Sequence, residues 1–165
     1  MYVYMTAGTF EFLKKVETKY PKENMITMMN ENGALLLHES IGATVFKEPR
    51  RYEVLETSGE MKKEGYAVMN NIPVTEEGRP LFEHQFKNRY SKFENEQGFI
   101  ALRVLRPLSS NTYVILTVWE KEIYYQKWQN SESFFEAHKN KAAGIDLQPK
   151  IFASAAYVSK YTITE

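Results

Sequence analysis

The chain has 165 residues, 43% of them hydrophobic and 25% charged, with ten Phe, eleven Tyr and two Trp, so it carries enough apolar surface for a real core and disorder is excluded. Twenty-one basic residues balance twenty-one acidic ones, leaving no net field to draw it onto nucleic acid or an anionic membrane. The absence of cysteine removes disulfides, thiolate nucleophiles and zinc–thiolate sites, so any metal must use His, Asp, Glu or Tyr.

Residues 2–6 alternate as a strand, and Thr9 is placed to cap a short helix with Phe12, Leu13 and Val16 on one face, closed by Pro21. Met25–Asn30 and Ala34–Glu39 read as a hairpin turning on Asn32-Gly33. Arg51–Thr57 adds a strand alternating Tyr52, Val54 and Glu56. The polar, glycine-flanked run Ser58–Gly65 is the natural connector, with a boundary at residue 64.

Beyond it the pattern sharpens. Tyr66–Ile72 predicts a strand and Thr75–Gly78 a turn, and Phe82, Phe86, Tyr90 and Phe93 give Arg79–Phe93 the spacing of an amphipathic helix. Gly98–Arg106 and Thr112–Trp119 predict an antiparallel pair, and Lys121–Gln129 a helix. Ser133 with Glu136 has the form of a capping box starting a second helical run, and Lys150–Thr162 predicts the closing strand. The order of residues 65–165 is thus β-α-β-β-α-β, an α+β, ferredoxin-like arrangement, preceded in 1–64 by β-α-β-β-β. Such a sheet leaves one face to be covered. The N-terminal half is expected to cover it as an internal, degenerate partner, a pseudo-dimer within one chain.

Three histidines are available. His38, at the polar end of an apolar strand, and His84, beside Glu83 and Gln85, are expected at the surface. His138 follows Phe134 and Phe135 on an aromatic helical face, where a neutral imidazole can pack as a core residue or ligate iron; spacing alone does not choose.

The stretch Ile115-Leu116-Thr117-Val118-Trp119-Glu120, continued by Trp128, Ser131, Phe135, Ala137 and His138-Lys139, resembles the strand and helix of IsdG-type haem-degrading monooxygenases within the antibiotic-biosynthesis-monooxygenase (ABM) superfamily. The resemblance covers about residues 66–162 and rests on Leu-Thr-Val-Trp followed by Trp-x(9)-His. It implies a catalytic set of Asn70, Trp128 and His138, with His138 as axial ligand of the haem iron and Phe134 and Phe135 beside Asn70 and His138 at the porphyrin. Trp119 belongs to the motif but is expected to pack the core. Asn71 competes with Asn70, since alternation sends the two to opposite faces and only one can enter the pocket.

By that resemblance haem is substrate and cofactor, molecular oxygen and an external electron donor are consumed, and a reductase or small reductant is the partner. The amide of the first residue would hydrogen-bond the oxygen reactant or the ring, Trp128 would supply bulk, and crowding would push the porphyrin out of plane. Lys139, Lys141, Arg103 and Arg106 are candidates to neutralise propionates. The competing readings are a cofactor-free ABM oxygenase acting on a phenolic or polyketide-like substrate, and a regulatory or signalling relative without activity. The runs of apolar residues are far shorter than the about 20 needed to cross a bilayer, and Met1–Phe10 lacks the pattern of a signal peptide. A cytoplasmic monomer, engaging neither nucleic acid nor membrane, is expected.

Overall fold

A computed structural model describes residues 1–86, 91–130 and 151–164. Strand β1 (Tyr2–Gly8) runs into Thr9, whose backbone is extended and whose side chain accepts a hydrogen bond from Phe12 N, opening helix α1 (Phe10–Lys19). Leu13 and Val16 pack with Phe10 and Tyr20 against Met25, Ala34 and Leu36. Phe12 does not join them and is 62% exposed, because one residue is about 100° of helical turn and Phe10-Leu13-Glu17-Tyr20 already defines the inward stripe. Glu17, on that stripe, is buried and accepts hydrogen bonds from Thr27 N and Oγ1, both at 2.9 Å. Burial by itself pushes the Glu17 carboxyl up, but the hydrogen bonds from Lys14 and Thr27 outweigh that and hold it below its ordinary value.

Strands β2 (Asn24–Asn30) and β3 (Gly33–Ser40) pair with Asn30 opposite Gly33. The turn is therefore Glu31-Asn32, one residue earlier than expected from the Asn-Gly step, and Asn32 N donates to Asn30 Oδ1. Register decides this: Ile26 opposite Leu37 and Met28 opposite Leu35 share the inner face, and a slip of one residue would turn all four outward. Strand β4 (Arg50–Ser58) keeps Tyr52 and Val54 on the inner side and Leu55, by alternation, with the opposite cluster, and breaks register between Val54 and Glu56.

The second half contributes β5 (Gly65–Pro73), α2 (Arg79–Phe86), a 3₁₀ turn (Ser91–Asn95), β6 (Phe99–Pro107), β7 (Thr112–Trp119), α3 (Glu122–Gln129) and β8 (Tyr157–Ile163). The helix expected through Phe93 is helical to Phe86, and Phe93, still buried, sits instead on the 3₁₀ turn. The closing strand begins at Tyr157 rather than near residue 150. Ile151 is held beforehand by Thr75 N donating to its carbonyl, over Gly78, where any Cβ would lie 2.6 Å from Ile151 Cα. Ser133, Glu136 and the helical run they were expected to start lie outside the described residues.

The eight strands among the described residues close into one barrel in the order β1-β3-β2-β8-β5-β7-β6-β4. The four strands of the first half, β4-β1-β3-β2, follow the same order as β8-β5-β7-β6 of the second, and the two sheets meet along β4–β6 and β2–β8. Inward residues from both, including Val3, Met5, Leu37, Met69, Leu105 and Leu116, form the barrel core, while α1 covers the outer face of one sheet and α2, α3 and the 3₁₀ turn that of the other. Among the described residues no helix is long and apolar enough to cross a membrane.

Arg103, considered above for a propionate, points the other way. It shares the inward face with Ala101 and Leu105, and its Nε donates to Glu39 Oε1 across the barrel at 3.1 Å, with Nη1 donating to the Ser58 and Leu102 carbonyls. Both side chains are almost wholly buried, 5% and 6% exposed, and they belong to different halves of the chain. Removing one partner leaves a charge without water or counter-ion. Glu39→Ala is expected to lower unfolding stability by about 3–5 kcal/mol in urea titrations, and an Arg103→Met/Glu39→Leu double variant to recover most of that loss; an unchanged urea midpoint in Glu39→Ala would show that the pair does not join the halves.

Candidate functional site

The outer face of β8-β5-β7-β6 carries the second core cluster. Along β5, Val68, Asn70 and Ile72 alternate onto this face, whereas Ala67 and Met69 belong to the barrel interior. Asn70 is half-buried, opposite Ile115 of β7 and Val158 of β8, and its amide makes no hydrogen bond to a described residue. Asn71 is turned inward and only 4% exposed, its Nδ2 donating to the carbonyls of Met69 and Tyr157 at 3.2 Å and to Ser159 Oγ at 3.0 Å. The choice that alternation left open thus falls on a committed amide inside the barrel and an uncommitted one beneath the helices.

Above the same face stands an aromatic wall. Trp119 is fully buried, its Nε1 donating to Thr117 Oγ1 at 3.0 Å, as the expected core role requires. Trp128 lies half-buried on α3, with ring centroids 4.9 Å from Phe93, 5.9 Å from Trp119 and 6.0 Å from Tyr125. The approach of α3 depends on Gly98, at φ +77°, where a Cβ would fall 2.2 Å from Tyr124 Cγ. Burial pushes the Tyr125 and Tyr66 hydroxyls above their ordinary values, so both remain protonated donors. Asn70 and Trp128 are therefore on one side of the sheet. His138, Phe134, Phe135, Lys139 and Lys141 lie outside the described residues.

Farther along this face a cavity of about 370 Å³ opens between α2 and the β4–β6 pair, floored by Leu55, Phe82 and Val104. Its polar rim was not foreseen from the sequence. Arg106 Nε donates to Glu83 Oε2 at 3.0 Å and Nη1 to Glu53 Oε1 at 2.8 Å, and the Tyr113 hydroxyl donates to Glu83. The Arg106 hydrogen bond holds the Glu83 carboxyl below its ordinary value, while burial and the neighbouring carboxylate push the Tyr113 hydroxyl up. Arg106 does face the helix side, but two carboxylates already occupy its donors. No local pattern marks these partners, because β4, α2, β6 and β7 each supply one of them.

His84 is exposed at the rim of that cavity, as expected. His38 is not at the surface: it is 1% exposed on the outer side of β3, with Nδ1 2.9 Å from Thr44 Oγ1 and Nε2 3.0 Å from Glu23 Oε2, and rings of Tyr4 and Phe46 beside it. The loop after β3 folds back over the strand end, and that long-range cover is what local polarity could not announce. Among the described residues no three His, Cys, Asp or Glu side chains gather as a metal cluster.

Residues 65–140 match the family model described as antibiotic biosynthesis monooxygenase. A heme-degrading monooxygenase of Listeria monocytogenes is 27% identical over 129 residues, covering 78% of this chain and 77% of the relative. The signal transduction protein TRAP of Staphylococcus epidermidis is 25% identical over 161 residues, covering 98% and 93%. A solved structure of a major regulator of staphylococcal pathogenesis superposes with a TM-score of 0.85 at 25% identity, covering 100% of this chain and 99% of that one. Residues 65–140 are thus similar to the antibiotic biosynthesis monooxygenase family, and the chain has a ferredoxin-like α+β fold whose sheet is closed into a barrel by the N-terminal strands.

Proposed function

We propose that the protein is an oxygen- and reductant-dependent haem-degrading monooxygenase that opens the porphyrin ring and releases iron, as its resemblance to the haem monooxygenase HmoB suggests. The observation that carries the reading is Asn70: a half-buried amide with no hydrogen bond to a described residue, on the same side of the sheet as the Trp128 wall. A flat apolar ring needs aromatic walls and a few convergent polar groups, and Phe93, Trp119, Tyr125 and Trp128 with Asn70 are of that kind. Support comes also from the heme-degrading relative, which matches 78% of this chain.

In this reading haem is the substrate, and its iron supplies the redox chemistry with molecular oxygen and electrons from a reductase or small reductant. His138 offers the iron a neutral nitrogen from one side. Asn70 donates its amide hydrogen bond from the sheet side and fixes the orientation of the ring, while Trp128 supplies bulk against its plane and excludes water. By the resemblance, Phe134 and Phe135 would add apolar surface for the ring. Residues 65–165 form the haem-degrading unit, and residues 1–64 act as an internal pseudo-dimer partner, so that the protein works as a cytoplasmic monomer. The common strand order of the two halves supports that division.

A regulatory role is the second reading, favoured by the signal transduction relative that matches 98% of the chain. Hemin separates the two. Titration is expected to give a Soret band saturating at one haem per chain on a particle that elutes as a monomer, and ascorbate under air is expected to bleach it; His138→Ala should abolish or shift the bound spectrum. Binding without bleaching would favour the regulatory reading, turnover of a phenolic substrate without iron the cofactor-free one, and absence of any Soret band would end the haem reading.

The two asparagines give a sharper comparison. Asn70→Ala should leave thermal stability within about 0.5 kcal/mol of the parent and slow ring opening at unchanged haem occupancy. Asn71→Ala removes the hydrogen bonds to Met69, Tyr157 and Ser159 and should cost roughly 1–3 kcal/mol in denaturant unfolding, with ring opening little altered in the folded fraction. The reverse pattern would assign the site to the barrel interior.

A further inference from the structure

One end of the barrel is built differently from its surroundings. The seam between β2 and β8 has only two paired positions, Met28 with Ile163 and Met29 with Thr162, whereas the opposite seam, β4–β6, runs from Tyr52 with Pro107 to Ser58 with Leu102. Beyond Met29 the two strands part, and Asn30 Nδ2 donates to the Lys160 carbonyl at 3.0 Å across the gap. A cavity of about 420 Å³ lies in the gap, lined among others by Ala7, Asn30, Leu35, Arg50, Ser159 and Tyr161.

The inward faces at this end are aromatic and polar. Ser159 stands opposite Met69 and Tyr161 opposite Ala67, so both point into the barrel, and Tyr161 packs on its core. Arg50 stands opposite Met5 and shares its inward face. Buried Tyr52 lies two residues on, and the Arg50 guanidinium acts on its hydroxyl against the rise that burial causes.

What distinguishes Arg50 is its counter-charge. Arg103 and Arg106 each hold carboxylates, but among the described residues none lies within ion-pair distance of Arg50. The acid that lines the cavity is Glu31, on the exposed turn. Lys160 lines it through its strand, while its ammonium lies 5.6 Å from the Tyr125 ring centroid on the other face.

We propose that this barrel mouth is a binding site for a small aromatic carboxylate, separate from the helix-covered face. The carboxylate pairs with the Arg50 guanidinium, whose planar fork matches it, and the ring lies against Tyr161 and the apolar Ala7 and Leu35. A single inward cation, offset by Glu31, suits a monoanion and disfavours a doubly charged phosphate. The cavity volume suits a one-ring or two-ring acid. The inference does not rest on haem degradation.

The test uses the full chain labelled with ¹⁵N and titrated with benzoate, with inorganic phosphate as the second arm. Saturable benzoate shifts at the amides of Asn30–Leu35 and Ser159–Tyr161, weaker shifts with phosphate, and a loss of affinity of roughly tenfold or more in Arg50→Gln are the expected results. Arg50→Lys, which keeps the charge but not the fork, should fall between. Absence of saturable shifts, shifts centred elsewhere, phosphate binding as well as benzoate, or an Arg50→Gln variant of parental affinity would each overturn the proposal. The hemin spectrum of Arg50→Gln, expected to match the parent, keeps this outcome distinct from that of the haem site.

Discussion

The inner face of the barrel is the constraint on which the remaining structure depends. A ferredoxin-like sheet with helices on one side has a second apolar face that cannot stay in water, and here it is buried against the matching face of the N-terminal strands. Arg103 and Glu39 lie within that interface, one from each half, where an error of register would leave both charges unpaired at a cost larger than most single contacts supply. Once alternation is fixed from within, the outward residues follow: Val68, Asn70 and Ile72 on one sheet, Leu36 and His38 on the other.

Two different surfaces result. The outer face of the second sheet carries an aromatic layer under α3 and the uncommitted Asn70 amide, which suits a large flat apolar substrate. The barrel mouth between β2 and β8 carries a guanidinium that pairs with no carboxylate among the described residues, which suits a small anion. Asn71 stands between them: its side chain ties β5 to β8 near the mouth, next to the residue that faces the aromatic layer. Position 71 thus holds the strand, while the neighbouring Asn70 amide makes no hydrogen bond to a described residue.

Much of the architecture was legible in sequence because it is local. The Thr9 cap, the strand at Gly65–Pro73, the β6–β7 pair and the helix at Glu122–Gln129 all follow from periodicity and capping. Misreadings occurred where distant packing decides. The hairpin turned at Glu31-Asn32 because the inner face set its register, the closing strand started late because Ile151 is pinned under Gly78, and Phe12 lost its place to a stripe one position away. The carboxylates around Arg106 and the burial of His38 were illegible for the same reason, since each is assembled from separate segments. Of the residues the resemblance named, Asn70 is put on the helix side of the sheet by the alternation of β5, and Trp128 reaches that side from α3.

The central claim is that an imidazole and an amide face each other across a porphyrin on the helix side of the sheet. Resonance Raman spectroscopy of the ferrous haem complex tests it most directly, because an iron–histidine stretching band reports axial imidazole itself. The band is expected in the parent protein and in Asn70→Ala, and absent in His138→Ala. A band that persists unchanged without His138, or a complex that shows none at all, would contradict the claim.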